Sequence, residues 1–87
     1  MLNQKITIKN PSGLHMRPAG LFVKEVGKFD SDVMIFFKDN EYNAKSMLNL
    51  LSAAIKCGDE IELRISGTDE EECMKTVVAA IESGLGE

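Results

Sequence analysis

The 87-residue chain has one histidine, two cysteines, two prolines, one tyrosine and no tryptophan. A lone histidine excludes an HExxH metal site. Cys57 and Cys73 lack the CxxC spacing of a zinc site and are too few for a disulfide framework. Both read as reduced thiols, in the core or on the surface, and no metal ligand set is expected. A GxxxxGK phosphate loop is also missing. No apolar run approaches the roughly 20 residues of a spanning helix, and Met1-Leu2-Asn3-Gln4-Lys5 offers no cationic region ahead of an apolar stretch. Membrane insertion is therefore not expected, and the cytoplasm is the expected location. Basic residues are scarce too: ten Lys and Arg stand against 14 Asp and Glu, a net charge of -4. That balance gives little support to a phosphate-tracking surface, so direct nucleic-acid binding is not expected.

What is present is the composition of a soluble globular protein, 44% hydrophobic and 28% charged with a mean hydropathy of -0.09. A chain of this length buries roughly 60 to 65% of its unfolded surface and has no room for a second core, so residues 1–87 are expected to form one domain.

The apolar periodicity changes several times along the chain. Lys5 to Lys9 alternates, with Ile6 and Ile8 on one face, and Asn10-Pro11-Ser12-Gly13 breaks this first strand. Ala19, Phe22, Val23 and Val26 recur at helical spacing, with Pro18 in the first turn and Gly27 or Lys28 at the end. Val33 to Phe37 is β-branched and aromatic, and Lys38-Asp39-Asn40-Glu41 reads as a tight turn into Tyr42 and Asn43. Ser46 stands as an N-cap before a short apolar helix containing Met47, Leu48, Leu50 and Leu51. In Glu60 to Ser66, Ile61, Leu63 and Ile65 face one way and Glu62, Arg64 and Ser66 the other, the pattern of a strand with one solvated face. A last helix has Thr68 or Asp69 as N-cap, Glu70 to Glu72 in its first turn, a stripe of Met74, Val77, Val78 and Ile81, and Gly84 as C-cap. The order β-α-β-β-α-β-α predicts an α+β fold, a two-layer sandwich with helices on one side of an antiparallel sheet.

Chemistry concentrates in Gly13-Leu14-His15-Met16-Arg17-Pro18-Ala19, with His15 as the N-cap of a helix beginning near Met16. The unpaired N–H groups and positive dipole end there favour an added anion and disfavour an imidazolium, leaving a ring nitrogen free as a nucleophile. Arg17 brings a planar, permanent charge toward the same anion, and Pro18 sacrifices no hydrogen bond in the first turn. On spacing alone the segment reads equally as a polar loop entering a helix.

Gly13 to Ala19 strongly resembles the active-site motif of HPr, the histidine-containing phosphocarrier family of the bacterial phosphoenolpyruvate-dependent sugar phosphotransferase system. The resemblance extends to Lys45-Ser46, Ser52, Gly58-Asp59-Glu60-Ile61, Ser66-Gly67 and Gly84-Leu85-Gly86-Glu87, and so covers essentially the whole chain. It implies an open-faced sandwich of four antiparallel strands covered on one face by three helices. It also implies a phosphorelay in which His15 accepts a phosphoryl group on Nδ1 from enzyme I and passes it to IIA domains of sugar permeases, with Arg17 assisting transfer. No cofactor is implied, because the phosphoryl group derives from phosphoenolpyruvate, and the protein acts as a co-substrate more than an enzyme.

Ser46 resembles the regulatory serine that HPr kinase/phosphorylase modifies with ATP, the modified form being read by a catabolite transcriptional regulator. A capping role alone also explains this serine. The resemblance places partner docking at Met16, Gly20 and Lys24, on the helix face opposite Phe22 and Val26. Met47, Leu48 and Leu51 are expected to add an exposed apolar patch, since only one side of their helix can pack on the sheet. The chain departs from the usual family pattern at Met16, Gly20 and Asn49, which bears on partner choice more than on chemistry. An alternative within the resemblance is a regulatory paralogue acting mainly through Ser46. Some HPr-like proteins have lost the histidine, so its presence here favours the carrier.

Overall fold

In the computed structural model, which describes all 87 residues, the chain forms β1 (Leu2–Thr7), α1 (Met16–Val26), β2 (Asp32–Phe37), β3 (Asn40–Asn43), α2 (Met47–Ala53), β4 (Glu60–Ser66) and α3 (Glu70–Glu82). This is the β-α-β-β-α-β-α order read from the sequence. The strands build one antiparallel sheet in the order β1-β4-β2-β3, and the three helices cover one of its faces. Strand β4 has a partner on each side, and its alternation has a direct physical meaning: Ile61, Leu63 and Ile65 are buried under the helices while Glu62, Arg64 and Ser66 point away.

The layers meet in a core of 21 apolar side chains, among them Val33 and Ile35 from the sheet and Phe22, Val26, Leu50, Val77 and Ile81 from the helices. Burying each large aliphatic or aromatic side chain contributes roughly 1.5–3 kcal/mol. On the uncovered face, half-buried Phe36 is shielded by Arg64, whose guanidinium lies 3.6 Å from the ring centroid and whose Nε contacts Glu62 at 2.8 Å.

Three boundaries differ from the sequence reading. Strand β1 starts at Leu2 and ends at Thr7; Ile8 lies beyond it and is buried through bonds to the loop before β4, its N–H donating to Asp59 O (2.9 Å) and its carbonyl accepting from Gly58 N (2.7 Å). The hairpin turn is only Lys38-Asp39, because both residues take the left-handed conformation (φ 50 and 64) that matches strand twist, so Asn40 and Glu41 already pair with Phe37 and Phe36. The C-cap of α3 is Ser83, one residue earlier than read. Gly84 follows at φ 92; its N–H donates to Ile81 O and that of Leu85 to Ala80 O, both at 3.1 Å, a Schellman closure that buries Leu85.

Candidate functional site

The loop that delivers His15 is built from tight constraints. Gly13 donates its N–H to Asn10 O at 3.0 Å and accepts from Asn10 Nδ2 at 2.7 Å, closing a turn. It sits at φ 64, and a Cβ there would lie 2.6 Å from Ile55 O and from Lys56 Cα, so no larger residue fits. The N–H of Leu14 then donates to Ile55 O at 2.9 Å while its side chain is buried. Pinned on both sides, the chain turns at His15 into α1.

His15 is the N-cap in extended geometry (φ -80, ψ -174), and its exposed ring makes no capping hydrogen bond. Its carbonyl accepts from Ala19 N at 2.8 Å. Pro18 has no N–H to offer, and the N–H groups of Met16 and Arg17 meet no acceptor within the chain. No acidic residue lies in this first turn. Arg17 is exposed and takes part in none of the three ion pairs. A helix end with two open donors and a free guanidinium suits an added anion. Beside the ring is a depression of about 210 Å³ lined by Leu14, His15, Leu51, Ala54, Ile55 and Lys56.

Ser46 is the N-cap of α2, as the sequence reading had it. Its Oγ accepts from Asn49 N at 3.3 Å, and the Asn49 side chain accepts from Asn43 N at 3.2 Å. Of the patch residues, Met16 and Leu48 are 70% and 77% exposed. Met47 and Leu51 are half-buried against the core, because α2 leans on α1 where Gly20 has no side chain; a Cβ on Gly20 would lie 3.9 Å from Met47 Cε. Lys24 is exposed on the same flank of α1, and Leu21, which the sequence reading left out, is exposed there too.

Two further features escaped that reading. The first was legible: no acidic residue precedes Glu25, and none lies between Glu41 and Asp59. Those are the segments that fold into this face, and Glu25 is occupied by Lys28 at 3.0 Å. The residues His15, Arg17, Lys24, Lys45 and Lys56 thus lie in acid-free segments of a chain of net charge -4, although Glu87 approaches their edge at Asn10 and Ser12. The second had no local signal: Glu87 folds back onto Asn10 and Ser12, residues far from it in sequence.

Comparison with known proteins follows this geometry. A family model described as the PTS HPr component phosphorylation site matches residues 2–83. The chain belongs to the HPr family. Among HPr relatives, the phosphocarrier protein HPr of Mycoplasma pneumoniae is 38% identical over 79 residues, covering 90% of each chain. The HPr-like protein Crh of Bacillus subtilis is 38% identical over 82 residues, covering 94% of this chain and 96% of its own. A crystal structure of HPr from Thermoanaerobacter tengcongensis superposes with a TM-score of 0.97 at 41% identity, over 100% of this chain and 98% of that one. The open-faced HPr fold and the phosphotransferase-system context follow from this membership. No helix of the chain is long and apolar enough to cross a membrane.

Proposed function

We propose that this HPr-family chain is a cytoplasmic, one-domain phosphocarrier that takes a phosphoryl group from phosphorylated enzyme I on His15 and hands it to IIA domains of sugar permeases. The observation that carries this reading is the open end of α1, where the unpaired N–H groups of Met16 and Arg17, the exposed Arg17 side chain and the uncommitted His15 ring come from three successive residues. In the transfer, a bond forms between His15 Nδ1 and phosphorus as the donor's bond to phosphorus breaks. The Met16 and Arg17 N–H groups and the guanidinium take the charge on the phosphoryl oxygens. The reverse exchange delivers the group to the acceptor, with no cofactor and no metal held by the chain. Exposed Met16 and Leu48, together with the exposed Lys24 and Lys56, fit an apolar partner surface with an acidic rim.

A second function rests on Ser46. Modified from ATP by HPr kinase/phosphorylase, it adds roughly -1.5 to -2 charges at the edge of this face. That weakens enzyme I docking and offers a new surface to a catabolite transcriptional regulator. The likeness to Crh favours this regulatory use, and the intact His15 site favours the carrier as the principal one.

Incubation with phosphoenolpyruvate, magnesium and enzyme I, followed by intact mass and acid-lability analysis, tests the reading. A stoichiometric, acid-labile adduct on His15 is expected. No adduct, with ATP-dependent labelling of Ser46 intact, would move the protein to the regulatory class.

A further inference from the structure

The sheet ends in two unequal edges. Strand β3 offers four residues, whereas β1 offers six, with no proline among them and with exposed Asn3, Lys5 and Thr7 at alternate positions. Strand β1 pairs only with β4, and Ile8 just beyond it turns both its N–H and its carbonyl to the β4 side, toward Asp59 and Gly58. By the period of two along a strand, Leu2, Gln4 and Ile6 do the same, and Asn3, Lys5 and Thr7 direct their N–H and carbonyl groups outward. No other backbone group of the chain meets them. Helix α3 stands over this open edge. Between it and β1 runs an apolar groove of about 480 Å³, floored by Leu2, Met74 and Val78, with Gln4 along the strand and Glu71 and Glu82 on the helix. Lys75 is the one cation on its lining.

The Met1 ammonium meets Glu70 at 3.2 Å, and Glu87 reaches Asn10 beyond the other end of the strand, so α3 runs beside β1 in the same direction. Glu71 therefore lies toward Leu2 and Glu82 toward Thr7. A strand laid along β1 takes up the outward groups of Asn3, Lys5 and Thr7 and sends every second side chain under α3. The groove dictates what those side chains are: apolar in the middle, against Met74 and Val78, and cationic at the ends, against Glu71 and Glu82. The two carboxylates are separated by about 16 Å of helix, close to the roughly 20 Å that a heptapeptide strand spans. On the uncovered face the added strand meets Lys5, which favours an acidic residue opposite. A second copy of the chain fits less well, because it brings its own Glu71 and Glu82 to a rim that already carries them.

We propose that the β1 edge and the groove beneath α3 form a docking site for an extended segment of a partner protein, apolar at alternate positions and cationic at both ends, which joins the sheet as a fifth strand. None of its residues lines the depression beside His15, so the site is separate from the phosphoacceptor and does not depend on the carrier reading.

The probe is the acetylated and amidated heptapeptide KTVEVTK, its valines set for the groove, its lysines for Glu71 and Glu82, and its central glutamate for Lys5. The peptide ETVKVTE reverses every charge and keeps the apolar pattern. Amide hydrogen exchange of the whole chain, resolved by residue with NMR, is the measurement. Saturating KTVEVTK should slow exchange at Asn3, Lys5 and Thr7 about tenfold, while Leu2, Gln4 and Ile6, already bonded to β4, change little. ETVKVTE should need about tenfold more peptide for the same protection. In the double variant Glu71→Lys, Glu82→Lys, both at exposed positions, that preference should disappear. Unchanged exchange at Asn3, Lys5 and Thr7 with KTVEVTK overturns the docking edge. Equal potency of the two peptides on wild type, or an intact preference in the double variant, overturns the charge rule that defines the partner. Sedimentation of wild type without peptide tests the second copy: a dimer whose formation slows exchange at the same three amides overturns the partner segment in favour of self-pairing.

Discussion

The N-termini of α1 and α3 face the same electrostatic problem and meet it in opposite ways. At α3 the chain supplies its own anions. Asp69 accepts from the N–H groups of Asp30 (2.9 Å) and Ser31 (3.0 Å) and from the Ser31 hydroxyl, and Glu70 accepts from Gly67 N at 3.1 Å. Glu71 and Glu72 add charge to the same first turn. At α1 there is no acid in the first turn, and at both ends the capping side chain leaves the helix's own N–H groups alone. The positive end of a helix stabilises a carboxylate by roughly 0.3–1 kcal/mol, so leaving α1 unfilled forgoes local stability. The difference lies in charge: the first turn of α3 carries three glutamates and that of α1 carries none, so an external anion is better received at α1.

The comparison breaks most completely at His15→Ala, which should abolish the acid-labile adduct from phosphoenolpyruvate and enzyme I while leaving far-UV circular dichroism and Tm near wild type. A labelled variant would remove His15 from the role assigned to it. Arg17→Ala should slow transfer about 10²-fold, the scale of removing one donor to a developing anionic charge, as followed by rapid-quench kinetics; unchanged rates with both enzyme I and a IIA domain would deny the guanidinium that part. Met16→Glu fills the open end as α3 is filled. It should cut the rate of phosphoryl acceptance about tenfold, through like-charge repulsion, and raise helix stability by a few tenths of a kcal/mol.

Smaller effects sharpen the contrast from the filled side. Ser46→Ala should cost about 1 kcal/mol in denaturant unfolding as α2 loses its cap, whereas Ser46→Asp keeps a capping oxygen and weakens enzyme I docking in calorimetry. The Asp69 carboxyl is held low mainly by the Ser31 hydroxyl and the Asp30 N–H, and that of Glu70 by the Gly67 N–H and the terminal ammonium at 3.2 Å. A depressed folded-state pKa contributes stability that is full above the ordinary carboxylate range and lost as pH falls through the lowered value. Tm should therefore decline below about pH 4, and Asp69→Asn should flatten part of that decline. An identical acid profile in that variant would show that the Asp69 bonds do not set it.

Legibility along the sequence followed the range of the interactions. Strand β4 was readable to the residue because burial on one face and solvent on the other write period two into Glu60–Ser66. The caps at His15 and Ser46 were readable, and that of α3 as Thr68 or Asp69, because a cap is a local event. Strand β1 was read too far along the chain, at Lys5 to Lys9 against Leu2–Thr7, since Asn3 and Gln4 lie at a sheet edge where exposure permits polar residues and Ile8 continues the apolar alternation past the ladder. The two-residue turn was read long, since neither Lys38 nor Asp39 is the glycine that usually marks left-handed backbone. At the site, His15 and Arg17 were visible as a motif and Leu48 as an apolar residue with no face left to bury it. The cover over Met47 and Leu51 depends on how α2 leans on α1, and the path of Glu87 to Ser12 depends on the whole fold, so neither leaves a local mark.

The strand order carries a consequence for how this protein is born. As the nascent chain leaves the ribosome, β1, β2 and β3 all emerge before the strand that β1 and β2 both pair with, so only the β2–β3 hairpin has its partner at hand. Ladder formation across the sheet waits for residues 60–66, nearly three-quarters of the way through synthesis. A chain stalled before Glu60 holds β1 with no strand to pair with, and it is as a nearly finished polypeptide that the molecule folds.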